Sequence, residues 1–303
     1  VAQQIPKVIF VTAILALLFV AGFSFLLPRA PPFMSVLAAG MVFLGFPHGA
    51  LDIFILRKVV TTRFCLSRAV ALYSLAVAPM FVLWWLFPEA TFLFFVIFSA
   101  AHFAHSDMSE AICGRGWLTR SKIELFSRLL IPICLPLAFN TERSLELVRQ
   151  ITSTQTIVDL LPLIRGAAIL AVASSLSLAA LETVNYLLRR SSWRIVAIEP
   201  AVICVLFILL DPLYAFGIYF SFMHAVKHMV NVFNSNISVD FYELLPYWII
   251  PVCAVGVMTW LGATRSIDAS SELFRWAIIV VSAVAMPHTA LISWCKFREV
   301  IRS

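Results

Sequence analysis

Apolar runs of about twenty residues recur along the whole chain, each long enough to cross the hydrocarbon core of a bilayer as a helix. They fall near 8–27, 33–56, 69–87, 91–107, 123–139, 164–188, 195–210, 212–233, 246–263 and 274–295. The pattern predicts an all-α, polytopic integral membrane helical bundle of about ten transmembrane helices, with 1–303 as a single transmembrane domain. Composition agrees, since 62% of the residues are hydrophobic, only 13% are charged and mean hydropathy is +0.97, which a soluble domain does not reach. Pro132 and Pro136 interrupt the run at 123–139, and Asp211-Pro212 separates the pair 195–210 and 212–233. Such breaks need not cancel a span, because neighbouring helices can satisfy the freed backbone groups. The first run is expected to be a retained span, its length of about twenty residues exceeding that of a signal-peptide core.

The basic residues set an orientation. Fifteen lie on the side of the N-terminus: Lys7; Arg57, Lys58, Arg63 and Arg68; Arg115, Arg120, Lys122 and Arg128; Arg189, Arg190 and Arg194; and Lys296, Arg298 and Arg302. Six lie opposite, at Arg29, Arg143, Arg149, Arg165, Arg265 and Arg275, while Lys227 falls inside a span. Both termini are therefore expected in the cytoplasm of a multi-pass protein of the cell (inner) membrane. The same clustering between apolar runs sets aside a nucleic-acid surface despite the net charge of +6. The six cysteines are dispersed without a CxxC pair, so they read as small packing residues rather than thiolate ligands or disulfides. The non-cytoplasmic loop near 140–163 carries Leu145, Val148, Ile151, Leu160 and Leu161 among polar residues and is expected to form amphipathic segments over the bundle.

All six histidines fall inside or at the ends of predicted spans: His48, His102, His105, His224, His228 and His288. Ionisable side chains in a membrane are costly and face a bundle interior or a cavity, so each is a functional candidate. The four spans that carry them run from outside to inside, and every histidine sits in the cytoplasmic half. At about 1.5 Å per residue they occupy a layer roughly 10–15 Å thick, where imidazoles from several helices can converge. His224 and His228 are four residues apart and leave one helical face, a spacing that can chelate a metal. A lone pair of this kind arises by chance, but further imidazoles at matching depth strengthen the metal reading. Alternatively the histidines bond carbonyls freed by Pro47 and Pro287, which directly precede His48 and His288. That alternative suits His288 best, because no other polar partner is near it in sequence. Asp52 and Asp107 are placed to orient an imidazole, although Asp107 is equally suited to capping or solvating a span end. Gly45 and Gly49 flank His48 and allow close approach of a flat ligand or, equally, of a packed helix.

In this order, GFPHGALD at 45–52, SAAHFAHSD at 99–107, RLLIPICLPLAFNTE at 128–142, FGIYFSFMHAVKHM at 216–229 and MPHTALISW at 286–294 resemble the bacterial and archaeal β-carotene 15,15'-dioxygenases of the Brp/Blh family. The resemblance implies a helical membrane enzyme that uses O2 to cleave the central double bond of β-carotene or a related carotenoid, taken from membrane lipid, into two retinal molecules. It implies one Fe(II) per chain, held by His48, His102, His224 and His228, and a functional link to a retinal-binding rhodopsin. Asp52, His105, Asp107, Tyr219 and His288 are then expected to support the ligands or line the substrate cavity. The sequence departs from the family's pattern at His105, at Asn140 in place of a histidine, and at Met223 and Lys227 in place of an aromatic residue and an arginine. These departures spare the four ligands and bear on substrate fit.

Rival functions keep specific features in view. Another histidine-iron membrane lipid oxidase or desaturase acts on similar substrates, but the diiron members of that class use more histidines than the six present. A haem carrier needs an axial pair on opposing helices. A proton- or metal-coupled transporter would use the intramembrane His and Asp as a relay, and PHGAL at 47–51 and PHTAL at 287–291 hint at repetition. A non-catalytic role beside a rhodopsin is a further alternative. The charge asymmetry makes a direct prediction: a reporter fused to Ser303 is active only if it functions in the cytoplasm, and periplasmic activity there contradicts the ten-span topology.

Overall fold

The computed structural model describes residues 40, 44–45, 49, 51–59, 63–108, 117–188, 195–234 and 268–302. Every described element is helical, with no strand among the described residues. The expected spans at 8–27 and 246–263, most of 33–56, and His48 lie outside the described residues. In chain order the helices are α1 (Asp52–Val59), α2 (Arg63–Leu75), α3 (Ala78–Leu86), α4 (Pro88–Ser106), α5 (Trp117–Phe139), α6 (Thr141–Arg149), α7 (Gln155–Leu187), α8 (Ile195–Leu209) and α9 (Pro212–Ile218). A π-helical segment, Tyr219–Ala225, then leads into α10 (Val226–Asn234), and α11 (Asp268–Arg302) closes the described chain.

Among the described residues, three segments are long and apolar enough to cross a membrane, Leu66–Leu86, Gln155–Leu187 and Phe274–Trp294. A fourth joins them if Lys122–Phe139 and Thr141–Arg149, bent by 103°, count as one. Large apolar side chains point outward from these helices, Trp85, Leu163, Ile169 and Leu187 among them, as lipid contact requires. The chain divides into two compact units, one formed by Val1–Leu86 with Gly217–Ser303 and the other by Phe87–Phe216.

In the unit 87–216, α5 packs against α4, α7 and α8. Pro132 and Pro136 do not interrupt it, and the helix runs continuously from Trp117 to Phe139. Small residues allow close approach of α7, whose Ala168, Ala171 and Ser175 are buried. Ser127 on α5 and Ser174 on α7 share a hydrogen bond of 2.6 Å. The sharp bend after α5 falls at Asn140, whose backbone is non-helical at φ −123° and ψ 50°. Its side-chain amide donates to the carbonyls of Phe207 and Leu210 at the end of α8, and Arg143 pairs with Asp211 just beyond. Asn140 therefore satisfies orphan carbonyls at a helix C-terminus.

The polar stretch after α6 is shorter than expected. Leu145, Val148 and Ile151 are buried as the amphipathic pattern predicts, but α7 begins at Gln155 rather than near 164, so Leu160 and Leu161 belong to a long helix instead of a surface loop. Thr156 near its start donates to Glu89 in the first turn of α4 at 2.5 Å, which anchors the early start.

Arg128 also differs from expectation. Rather than marking a loop, it is buried within α5 and paired with Glu124 one turn before it at 3.0 Å and with Glu199 on α8 at 2.9 Å. A guanidinium is tolerated there because both carboxylates hydrogen-bond it and offset its desolvation. Arg128→Met leaves two buried carboxylates uncompensated and is expected to destabilise the chain by about 3–5 kcal/mol. Thermal denaturation of the full chain in detergent reads this, and an unshifted midpoint contradicts it.

Candidate metal centre

The unit built from 1–86 and 217–303 contains a buried group of three side chains from three separate helices: Asp52 at the start of α1, His228 on α10 and His288 on α11. Each can offer one donor atom such that all three donors lie within 4.8 Å of one another. The Nδ1 atom of His288 is 2.9 Å from both carboxylate oxygens of Asp52. The His228 and His288 rings meet nearly edge-on, with centroids 5.4 Å apart and planes at 77°. Tyr73 on α2 donates its hydroxyl to Oδ2 of Asp52 at 2.5 Å.

Packing around these residues fixes the helices that carry them. On α11, Ser282 accepts a 2.7 Å hydrogen bond from the indole N–H of Trp84 on α3, both side chains being buried. That bond sets the register of α11 one to two turns before His288. Pro287 sits inside α11 without ending it. At the other side of the group, the chain from Tyr219 to Ala225 is π-helical and carries His224, with α-helical geometry resuming at Val226 before His228. A π-helical turn inserts an extra residue and re-aims the side chains after it, which is why such turns collect at functional sites.

Glycines let a second backbone approach that turn. A Cβ at Gly45 would stand 2.8 Å from the Phe220 ring, and one at Gly40 would stand 2.7 Å from the Phe222 ring. Phe220 in turn stacks on His224, centroids 6.0 Å apart at 17°. Gly45 thus serves close helix approach, whereas Gly49 has no described atom within 4 Å of its would-be Cβ.

Within this unit the structure brings three of the expected site residues together. His228 is in the three-residue group, joined by Asp52 and His288. His224 is fully buried one turn earlier on the π-helical segment but is not a member of that group. Tyr219 is buried at the beginning of the same segment. In the other unit, His102 is buried near the end of α4 and Asp107 is buried just after it, within electrostatic reach of Arg128, while His105 is exposed. Asp52 meets His288, a residue 236 positions away; its expected partner His48 lies outside the described residues. Tyr73 is the member that reading the sequence missed. A hydroxyl-bearing aromatic inside an apolar span was its signal, since such a hydroxyl needs a partner.

Two imidazoles and a carboxylate, buried with donor atoms within 4.8 Å of one another, are the residue types that hold a divalent metal, the carboxylate either as a ligand or as the partner of a ligand imidazole. The profile of the beta-carotene 15,15'-dioxygenase family matches residues 39–296, which include every residue named in this group. The chain belongs to the beta-carotene 15,15'-dioxygenase family. It is similar to a probable beta-carotene 15,15'-dioxygenase, Blh, of Halobacterium salinarum, being 23% identical over 291 residues that cover 85% of this chain and 83% of that protein. No solved structure matches the chain. Membership in the dioxygenase family implies a metal cofactor, and the Asp52, His228 and His288 group is where the described residues can accept one.

The approach of Gly45 to Phe220 yields a prediction. Gly45→Val forces the Phe220 ring off His224 and is expected to cost about 1–3 kcal/mol of stability. A denaturation midpoint equal to that of the unaltered chain rules out this tight seam.

Proposed function

We propose that the chain is a membrane-embedded dioxygenase that splits the central 15,15' double bond of β-carotene, or of a closely related carotenoid, with O2. One oxygen atom goes to each carbon of the broken bond and two all-trans-retinal molecules leave. The observation that carries this reading is the buried Asp52, His228 and His288 group inside a chain of the beta-carotene 15,15'-dioxygenase family. The proposed cofactor is one Fe(II), with His228 of the buried group in its ligand set and His48, His102 and His224 added from the motif correspondence alone. Asp52, His105, Asp107 and Tyr219 are proposed as supporting or cavity residues, the place that the motif correspondence alone also gives His288. The chain is proposed to work as one multi-pass domain of about ten helices in the cell membrane, with both termini cytoplasmic. A retinal-binding rhodopsin is a fitting consumer of the product.

Fe(II) bound by these residues supplies the redox reactivity toward dioxygen that a polyene lacks on its own. The protein's tasks are then positional. An alkene and O2 become two aldehydes without net gain or loss of a proton, so no general acid or base is required. Neutral imidazoles suit that chemistry, being donors that neither add charge nor need to exchange protons. Burial of His224, His228 and His288 keeps the site dry, which protects reactive intermediates from water. A carotenoid dissolved in the bilayer meets the outward apolar faces of the helices without first crossing water.

Expression in a β-carotene-accumulating bacterial host tests the proposal. Aerated cells are expected to lose carotene and accumulate retinal, cells without oxygen to keep their carotene, and His228→Ala to lower retinal formation at least about tenfold. Persistent carotene without retinal in the unaltered strain contradicts the proposal.

A further inference from the structure

Tyr73, Asp52 and His288 form a continuous hydrogen-bonded chain that links three helices and ends at the candidate metal centre. The Tyr73 hydroxyl reaches Oδ2 of Asp52 at 2.5 Å, a length typical of an O–H donor on a carboxylate. A carboxylate accepts, so the tautomer that suits the 2.9 Å contact with both oxygens of Asp52 has its proton on Nδ1 of His288. With the proton on Nδ1, the lone pair of His288 resides on Nε2. The two nitrogens of an imidazole point to opposite sides of the ring, which directs Nε2 away from Asp52, and this atom is buried. The Nε2 atom of His228 is buried as well, on a ring that meets His288 edge-on. This is the arrangement in which a carboxylate fixes the tautomer and rotation of a metal-bound histidine.

We propose that His288 ligates the metal through Nε2, and that Tyr73, acting through Asp52, is the positioning residue that holds His288 in that orientation. The proposal rests on the metal-centre reading above and goes beyond the four motif histidines. It also assigns Asp52 a place outside the coordination sphere, since a carboxylate on the Nδ1 side cannot share an ion with Nε2 of the same ring. The half-buried Tyr73 has a role that its ring alone cannot fill, because only the hydroxyl reaches Asp52.

Co(II) titration of the full chain, purified in detergent and stripped of metal with a chelator, tests this by visible absorption and affinity. The unaltered chain is expected to bind one Co(II) with a ligand-field spectrum. His288→Ala is expected to weaken binding at least about a hundredfold and to regain the spectrum on addition of free imidazole, which a merely structural loss does not do. Tyr73→Phe keeps the ring and the stoichiometry but is expected to weaken Co(II) binding about tenfold and to shift the absorption bands. Affinity and spectrum unchanged in Tyr73→Phe overturn the positioning role, and an unchanged spectrum in His288→Ala overturns ligation, while in both cases the metal centre itself stands. Asp52→Asn losing Co(II) as fully as His288→Ala places the carboxylate on the metal and overturns the Nε2 assignment. Absence of any saturable Co(II) spectrum in the unaltered chain defeats the metal-centre reading, and this proposal with it.

Discussion

The contact between Asp52 and His288 is the constraint on which the rest of the candidate site depends. A carboxylate and an imidazole buried in apolar helices each carry a heavy desolvation cost, and they are tolerable there only when they satisfy one another. Their pairing draws the start of α1 against α11, and the Tyr73 hydroxyl adds α2 to the same junction. The Trp84 to Ser282 hydrogen bond then holds α3 to α11 along the same helix. With α11 fixed, His288 meets His228 edge-on, and a group of donors forms that no single segment contains.

The same physics produces a different outcome in the unit 87–216. There Arg128 lies between Glu124 and Glu199, so that buried charge is met by buried charge and the cluster closes on itself. Neutral imidazoles do not close in this way. A ring that donates one nitrogen to a carboxylate, as the geometry allows His288 to do toward Asp52, presents the lone pair of the other nitrogen, which suits a cation rather than an ion pair. The chemistry proposed for the chain follows from that contrast, since oxidative cleavage of a polyene needs a dry metal and asks for no titrating acid or base.

Much of this was legible in the sequence. Apolar runs of spanning length announced the helices, and six histidines confined to those runs singled out the candidate residues. The boundaries were less so. Pro132 and Pro136 suggested a weak span where α5 is continuous, because packing against α4, α7 and α8 outweighs the missing backbone bonds. Arg128 read as a loop cation because its partner Glu199 is 71 residues away, and the capping of α8 by Asn140 joins residues 67 and 70 positions apart. The pairing of Asp52 with His288 was hidden for the same reason, its members being 236 positions apart. The π-helical turn at Tyr219–Ala225 has no local composition that distinguishes it from an α-helix, so the spacing of His224 and His228 promised one shared face where the backbone changes geometry between them.

The central claim is that the buried group of Asp52, His228 and His288 marks the metal centre of a carotenoid-cleaving enzyme. Anomalous scattering at the iron absorption edge, recorded from crystals of the iron-loaded full chain, tests it most directly. A single anomalous peak within coordinating distance of both His228 and His288 is the predicted result. Iron located away from these two imidazoles, with the group itself devoid of anomalous signal, would contradict the account.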